Sequence, residues 1–306
     1  MTNILLTGAT GFVGGHLLEK LSDSPSYNIF PLVRKKGIHP NEIIGDVTTL
    51  SPTHFKELPS FDAVVHLAGV VHAVKSEDFY RVNVEGNKKL IEALSHQKIP
   101  LFINSSSLAA YGPKNKGFPV GNYGQSKKDG EEVLNNALSQ GIITKLIHLR
   151  PPMVLGPRDT ATLEIYQMVQ KKIVPLIGFH GKEKKYSFVS VMDLTNKIMA
   201  LLDHPTSENI IYPAFSQDIT FWQLIEEIQK ILAVKKIYPL IIPSSLLAFV
   251  AKYAPFLPSR LTEDKVRELL EDDWTVPSKD KTYNYCHNLE ETLKRSIADY
   301  KKRGYL

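Results

Sequence analysis

One tyrosine in this sequence is placed to exchange protons. Of the 13 tyrosines, only Tyr123 is followed four residues later by a lysine, Lys127. Residues four apart on a helix share a face, so both side chains would meet one ligand. A free phenol titrates near about 10. An ammonium about 4 Å away, at an effective dielectric of about 20, contributes roughly 4 kcal/mol. That is about three pKa units, before any cost of desolvation. It would bring the phenol toward neutrality, where a general acid/base works best. The expected chemistry is proton transfer at a hydroxyl or carbonyl oxygen. Such a pair also arises by chance, so its place in the chain matters. It closely follows Asn104-Ser105-Ser106-Ser107, where a β-rich run ends. Ligands of open parallel sheets bind at the carboxyl ends of strands.

A sheet must position the pair. Asn3–Thr7 reads as a buried strand and Phe12–Leu21 as a helix. Asn28–Val33 is a second strand, Ile43-Ile44 a weak one and Ala63–Leu67 a fourth. Ser76–Ala93 has helical spacing. Leu101–Ser105 is a strand, Tyr123–Leu138 a helix and Ile143–Arg150 a strand. Alternating strands and helices imply a parallel sheet covered on both faces. After Pro151-Pro152 the alternation is lost, which predicts a smaller second lobe. Ser187–Leu202 reads as a strand end and a helix that returns to the first domain. The expected division is 1–157 with about 187–203, against 158–186 with 204–306.

The first strand runs into Gly8-Ala9-Thr10-Gly11-Phe12-Val13-Gly14 and then a helix. Glycines here let the backbone approach a pyrophosphate resting on helix-terminal amides. Three glycines alone are weak evidence, but between the first strand and first helix of a βαβ run they point to a dinucleotide. At the end of the second strand an acid would bind a free ribose 2′-hydroxyl, and an arginine would accept a 2′-phosphate. This strand ends in Val33-Arg34-Lys35-Lys36, with no acid. Arg34 and Lys35 therefore favour NADP over NAD, unless they are only exposed loop cations. Asp46-Val47 falls where the adenine would lie.

Composition narrows the class. The chain has 306 residues, 43% hydrophobic and 23% charged, with a net charge of +5 and one cysteine. That is ordinary globular composition. The lone Cys286 excludes an internal disulfide and fits a reducing, cytoplasmic setting. The first strand begins within three residues, so no signal peptide is expected. No apolar run is long enough to span a membrane. No nucleic-acid motif is present. The histidines lack metal-ligand spacing, so no metal is expected.

Together these residues resemble the extended short-chain dehydrogenase/reductases, specifically the NAD(P)-dependent sugar-nucleotide epimerase/dehydratase family. The resemblance spans nearly the whole chain. It includes Val65-His66-Leu67-Ala68-Gly69, Asn83-Val84-Glu85-Gly86-Asn87, Leu149-Arg150-Pro151-Pro152-Met153-Val154-Leu155-Gly156-Pro157, and Phe188-Val189-Ser190-Val191-Met192-Asp193. It implies a Rossmann-type doubly wound sheet with a smaller C-terminal α/β substrate lobe. It implies that Ser107 orients the substrate oxygen, while Tyr123 and Lys127 carry out the proton chemistry. Cofactor contacts are expected from the glycine turn, Arg34, Lys35, Asp46, Val47, Leu67, Ala68, Gly69, Asn83, Ser105, Tyr123, Lys127, Pro151 and Met153. A homodimer paired through the Asn83 and Tyr123 helices is also implied.

Departures from the family pattern narrow the reaction. Family dehydratases carry an Asp-Glu pair where this chain has Leu108-Ala109, and the only cysteine lies far from this segment. What remains is hydride exchange at a carbinol or ketone carbon of a nucleotide sugar, by 4-keto reduction or 4-epimerisation. Met153 stands where many UDP-sugar epimerases have a diphosphate-contacting asparagine, and Tyr186 replaces the family's arginine before the Phe188 strand. The Pro151-Pro152 form resembles the branch of 4-keto sugar reductases and steroid-dehydrogenase-like members, so an apolar ring or acyl substrate is the alternative, and a non-catalytic NADP sensor is a third reading. The family places substrate between the lobes, here near Pro157-Arg158, Lys184-Lys185 and Arg260. The expected substrate residues are Ser107, Arg158, Lys185 and Arg260. The apolar Ile241–Val250 stretch reads as a packed helix, with contact to a lipid-linked substrate or a membrane as the alternative.

Overall fold

The computed structural model describes residues 1–73, 75–247 and 263–306. In chain order its first elements are β1 (Thr2–Thr7), α1 (Phe12–Ser22), β2 (Tyr27–Val33), β3 (Ile43–Ile44) and β4 (Ala63–His66). Next come α2 (Ser76–Tyr80), a π-helical turn (Arg81–Glu85) and α3 (Gly86–Leu94). They are followed by β5 (Ile99–Ser105), α4 (Asn122–Ser139), β6 (Ile143–Leu149), β7 (Met153–Leu155), α5 (Leu163–Gln170) and β8 (Ile173–Ile177). Then come β9 (Lys185–Tyr186), β10 (Phe188–Ser190), α6 (Val191–Asp203), β11 (Ile210–Ile211), β12 (Ile219–Thr220), α7 (Phe221–Ile231) and β13 (Tyr238–Ile242). The last are α8 (Glu263–Leu270), β14 (Asp273–Trp274) and α9 (Leu289–Lys302).

Packing divides the chain into two units. The first comprises 1–110, 122–150 and 194–211; the second comprises 111–121, 151–193 and 212–306. The first unit holds a parallel sheet in the order β11-β6-β5-β4-β1-β2-β3. Connections run outward in both directions from β1 and β4, the doubly wound arrangement whose crevice lies at the carboxyl ends of these two strands. Ile4, Leu5, Leu6, Val64, Val65, Phe102 and Ile103 are sealed from solvent, as buried central strands require. β-branched and aromatic residues along β4 and β5 suit such positions.

The unit boundaries differ from those read in the sequence. β7 pairs with β10 in a separate two-stranded sheet, so 151–157 and 187–193 pack with the second unit. β11 closes the large sheet beside β6. The stretch read as one helix over 76–93 is broken by the π turn. The second unit has its own core, built from Tyr166, Val169, Leu176, Phe188, Leu224, Ile225 and Leu293. Ile241-Ile242 is not helical: it forms the end of β13, paired in parallel with β8. Pro243 follows, a helix starts at Ser244, and 248–250 lie outside the described residues, as does Arg260. Consecutive β-branched residues before a proline favour extended backbone, which outweighs the apolar helical pattern.

The β1–α1 turn depends on glycine. Gly8 has φ 74°, and a Cβ on Gly14 would stand 2.0 Å from the Gly8 carbonyl oxygen. Gly14→Ala is expected to destabilise the protein by about 1–3 kcal/mol and lower its melting temperature. A variant that melts with the parent would contradict this packing.

Candidate active site

The glycine turn leaves the N-terminus of α1 open. Gly11 is its N-cap, with no side-chain cap and no acidic residue in the first turn. The first-turn amides of a helix lack intrahelical partners and carry partial positive charge. Beside the turn, the Thr7 hydroxyl accepts from the Ala68 amide at 3.2 Å and bonds His66 Nδ1 at 2.8 Å. Burial, and then the charge of Lys127, pull His66 down to about 3. The imidazole is therefore a neutral structural strut between β1 and β4.

The 67–70 loop follows β4, and the π turn follows α2. Asn83, buried in that turn, accepts from the Val70 amide at 3.0 Å through Oδ1. Its Nδ2 donates to the Val70 carbonyl at 3.2 Å and to Ser126 Oγ at 2.9 Å. Ser126 Oγ in turn donates to the Tyr123 carbonyl at 2.8 Å. One side chain thus ties the loop to the first turn of α4. The approach is close because position 130 is glycine: a Cβ there would lie 2.4 Å from the Asn83 carbonyl oxygen. π turns often occur at functional sites.

Tyr123 and Lys127 lie one turn apart near the start of α4. The Tyr123 ring packs 5.8 Å from that of Phe79. Lys127 Nζ donates to the Ser105 carbonyl at 2.6 Å. A Cβ on Gly69 would lie 3.5 Å from the same Nζ. The ammonium therefore stands between the end of β5 and the loop after β4. Ser107 is half-buried two residues beyond β5, and its Oγ accepts from the Ala109 amide at 3.1 Å. The structure thus brings Lys127 together with Ser105, Gly69 and, through Ser126, Asn83.

Burial pulls Lys127 down to about 8, with Glu131 opposing the shift. Glu131, one turn further along α4, grips Arg150 with two bonds, 2.8 Å at Nε and 2.5 Å at the second nitrogen. Burial raises the Glu131 carboxyl, but Arg150 and the charge of His148 outweigh it and hold the group below the usual carboxylate range. Neither Glu131 nor Arg150 was singled out in the sequence reading. The four-residue spacing from Lys127 to Glu131 was the available signal.

At the end of β2, Arg34 and Lys35 are exposed. Asp46 Oδ1 accepts from the Thr48 amide at 2.9 Å and from its hydroxyl at 2.7 Å. Burial opposes its ionisation, but those bonds and the charges of Arg34 and Arg81 hold it below the usual range. Val47 is buried beside it, while Thr10 and Gly11 are exposed and Phe12, Val13, Leu67 and Ala68 partly so.

The other expected residues belong to the second unit. Met153 lies in β7, Pro151 is buried just before it, and Lys185 is exposed in β9. The Arg158 amide, at φ 70°, donates to Asp299 at 2.8 Å. Lys184 is occupied structurally: its Nζ donates to the Leu269 carbonyl at 2.7 Å and lies 3.2 Å from Asp272. Among the described residues one trio has metal-ligand types in proximity, Asp193, Cys286 and His287. Asp193 accepts from His287 Nδ1 at 2.7 Å and from its amide at 3.0 Å, so the trio is joined by its own hydrogen bonds.

A doubly wound sheet with an open glycine turn and a Tyr-x3-Lys helix at its carboxyl edge defines the extended short-chain dehydrogenase/reductase class. The profile of the NAD dependent epimerase/dehydratase family matches residues 4–212, and the chain belongs to that family. It is 28% identical over 289 residues to the ceramide reductase of Caulobacter vibrioides, covering 90% of this chain and 86% of that protein. It is 26% identical over 245 residues to the UDP-glucose 4-epimerase of Vibrio cholerae, covering 74% of each. In fold it is similar to the crystal structure of UDP-glucuronic acid 4-epimerase from Bacillus cereus in complex with NAD. That match has a TM-score of 0.77 and 20% identity, and covers 99% of both chains.

The buried amine makes a signed prediction. Between about 8 and its ordinary value near 10.5 the folded state gives up the Lys127 proton first. The cost of burying this charge is full below about 8 and is relieved as pH rises through that window. The proton role expected of Lys127 predicts that turnover in the reducing direction falls above about 8. Replacing Glu131→Gln together with Arg150→Met removes the opposing carboxylate without stranding a buried charge. It should move the alkaline limb of the kcat/KM profile to lower pH, and an unmoved limb would contradict the coupling.

Proposed function

We propose that the protein transfers hydride between a nicotinamide dinucleotide and a carbinol or ketone carbon of a nucleotide sugar, by 4-keto reduction or 4-epimerisation. The observation that carries this is the placement of the Lys127 ammonium between the end of β5 and the loop after β4, on the helix of Tyr123. The residues present fit the cofactor: Gly8 turns the chain at φ 74°, and α1 opens at Gly11 with no side-chain cap and no acidic residue in its first turn. When bound, the nicotinamide supplies or accepts the hydride.

In this reading the α1 amides and the turn Gly8, Thr10, Gly11, Phe12, Val13, Gly14 hold the pyrophosphate. Val47 and Asp46 border the adenine, and Leu67, Ala68, Gly69, Asn83 and Ser105 line the nicotinamide end. Ser107 fixes the substrate oxygen. Tyr123 gives its phenolic proton to that oxygen during reduction and takes it back during oxidation. Lys127 stabilises the phenolate that is left. Arg34 and Lys35, two exposed cations with no acid at the end of β2, support NADP over NAD.

A second substrate reading, an alcohol or ketone on an acyl chain, has its own support. The relative matched over 90% of this chain is named a ceramide reductase.

The test is cofactor oxidation with NADPH and NADH, scanned over 4-keto nucleotide sugars and long-chain β-keto amides. Tyr123→Phe should lower turnover by about 10²–10⁴-fold while leaving cofactor affinity intact. NADPH should outperform NADH, and Arg34→Ala should narrow that gap. Undiminished turnover in Tyr123→Phe would sink the catalytic reading, and activity only with the keto amides would select the acyl substrate.

A further inference from the structure

We propose that the outward face of β8 and β13 in the second unit docks the protein onto an anionic lipid surface. The two strands run parallel, with Ile173 beside Tyr238, Pro175 beside Leu240 and Ile177 beside Ile242. Side chains alternate across a strand. Val174 and Leu176 point into the core, at 0% and 2% exposure. The opposite face therefore carries Ile173, Pro175 and Ile177, and none of these or their three partners is charged. Ile173, Tyr238 and Leu240 are each 53% exposed. At the far end of the sheet the Gly178 amide donates to the Ile242 carbonyl at 2.9 Å. Phe179 follows at 81% exposure, and Leu246 is 52% exposed. A sheet face turned to water normally carries polar residues. A contiguous apolar patch of this kind marks an interaction surface.

Charge selects the occupant. Lys171 and Lys172 lead into β8, Lys235 and Lys236 precede β13, and all four are exposed. The Tyr238 amide donates to the Lys172 carbonyl at 2.9 Å, which brings the two pairs to the same edge. Lys236 Nζ lies 5.0 Å over the Tyr238 ring. Residues 165–182 and 228–247 contain no aspartate or glutamate. A cationic edge beside aliphatic and aromatic side chains complements anionic headgroups over an acyl boundary. A second copy of the chain would present the same cations and no carboxylate from these segments to meet them. No helix among the described residues is long and apolar enough to cross a membrane; the contact proposed is a peripheral one. The proposal rests on this surface alone and is independent of the hydride chemistry.

The experiment is co-sedimentation of the full chain with phosphatidylcholine vesicles, with and without about one-third phosphatidylglycerol. Binding should require the anionic lipid and weaken with salt. Leu240→Glu with Phe179→Ser should reduce partitioning at least tenfold. Each of Lys172→Ala and Lys236→Ala should reduce it about fivefold. Melting temperature and cofactor binding, measured on the same variants, should match the parent, because the altered side chains are exposed. Three outcomes would overturn the proposal: no vesicle binding, binding that survives Leu240→Glu with Phe179→Ser, or a soluble dimer that those substitutions dissociate.

Discussion

A positive charge is held out of water at the carboxyl edge of a parallel sheet, and the first unit is organised around it. The Lys127 ammonium has one carbonyl partner at 2.6 Å, from Ser105. A carboxylate one turn away offsets part of the cost of its burial. That carboxylate is itself neutralised by the forked guanidinium of Arg150, at the end of β6. The consequence is an amine poised near neutrality rather than a permanently charged one. Such a group can stabilise a phenolate while remaining sensitive to its surroundings.

Position is fixed by hydrogen bonds rather than by apolar packing alone. Asn83 satisfies both ends of its amide on the 70 loop and on Ser126, and the π turn presents it there. Regular α-helical hydrogen bonding through 81–85 would rotate position 83 away from that orientation. The neutral His66 braces the same loop from beneath, through Thr7. Sheet, loop and helix therefore converge on a small volume with few degrees of freedom.

Much of this was legible in the sequence because it is local and periodic. The buried runs NILLT and AVVHL gave β1 and β4 to within a residue, and the glycine spacing located the turn. The π turn was not legible, since one residue of extra winding leaves the apolar spacing of 76–94 nearly unchanged. β11 is two residues long and pairs only through the tertiary fold. In the second unit, β9, β12 and β14 are also two residues each, too short to show alternation. Lys184 and Lys185 looked equivalent in sequence, yet one is buried against carbonyls and the other exposed. The family profile ends at residue 212, and the 94 residues of 213–306 lie beyond it. They include β13, which with β8 forms the apolar face.

The most direct measurement is the ionisation of Lys127 itself, followed by NMR of lysine labelled at Cε in the cofactor-free protein. One resonance, assigned by its loss in Lys127→Arg, should titrate near about 8. A midpoint at the ordinary lysine value near 10.5 would show a solvated amine and contradict the buried-cation site.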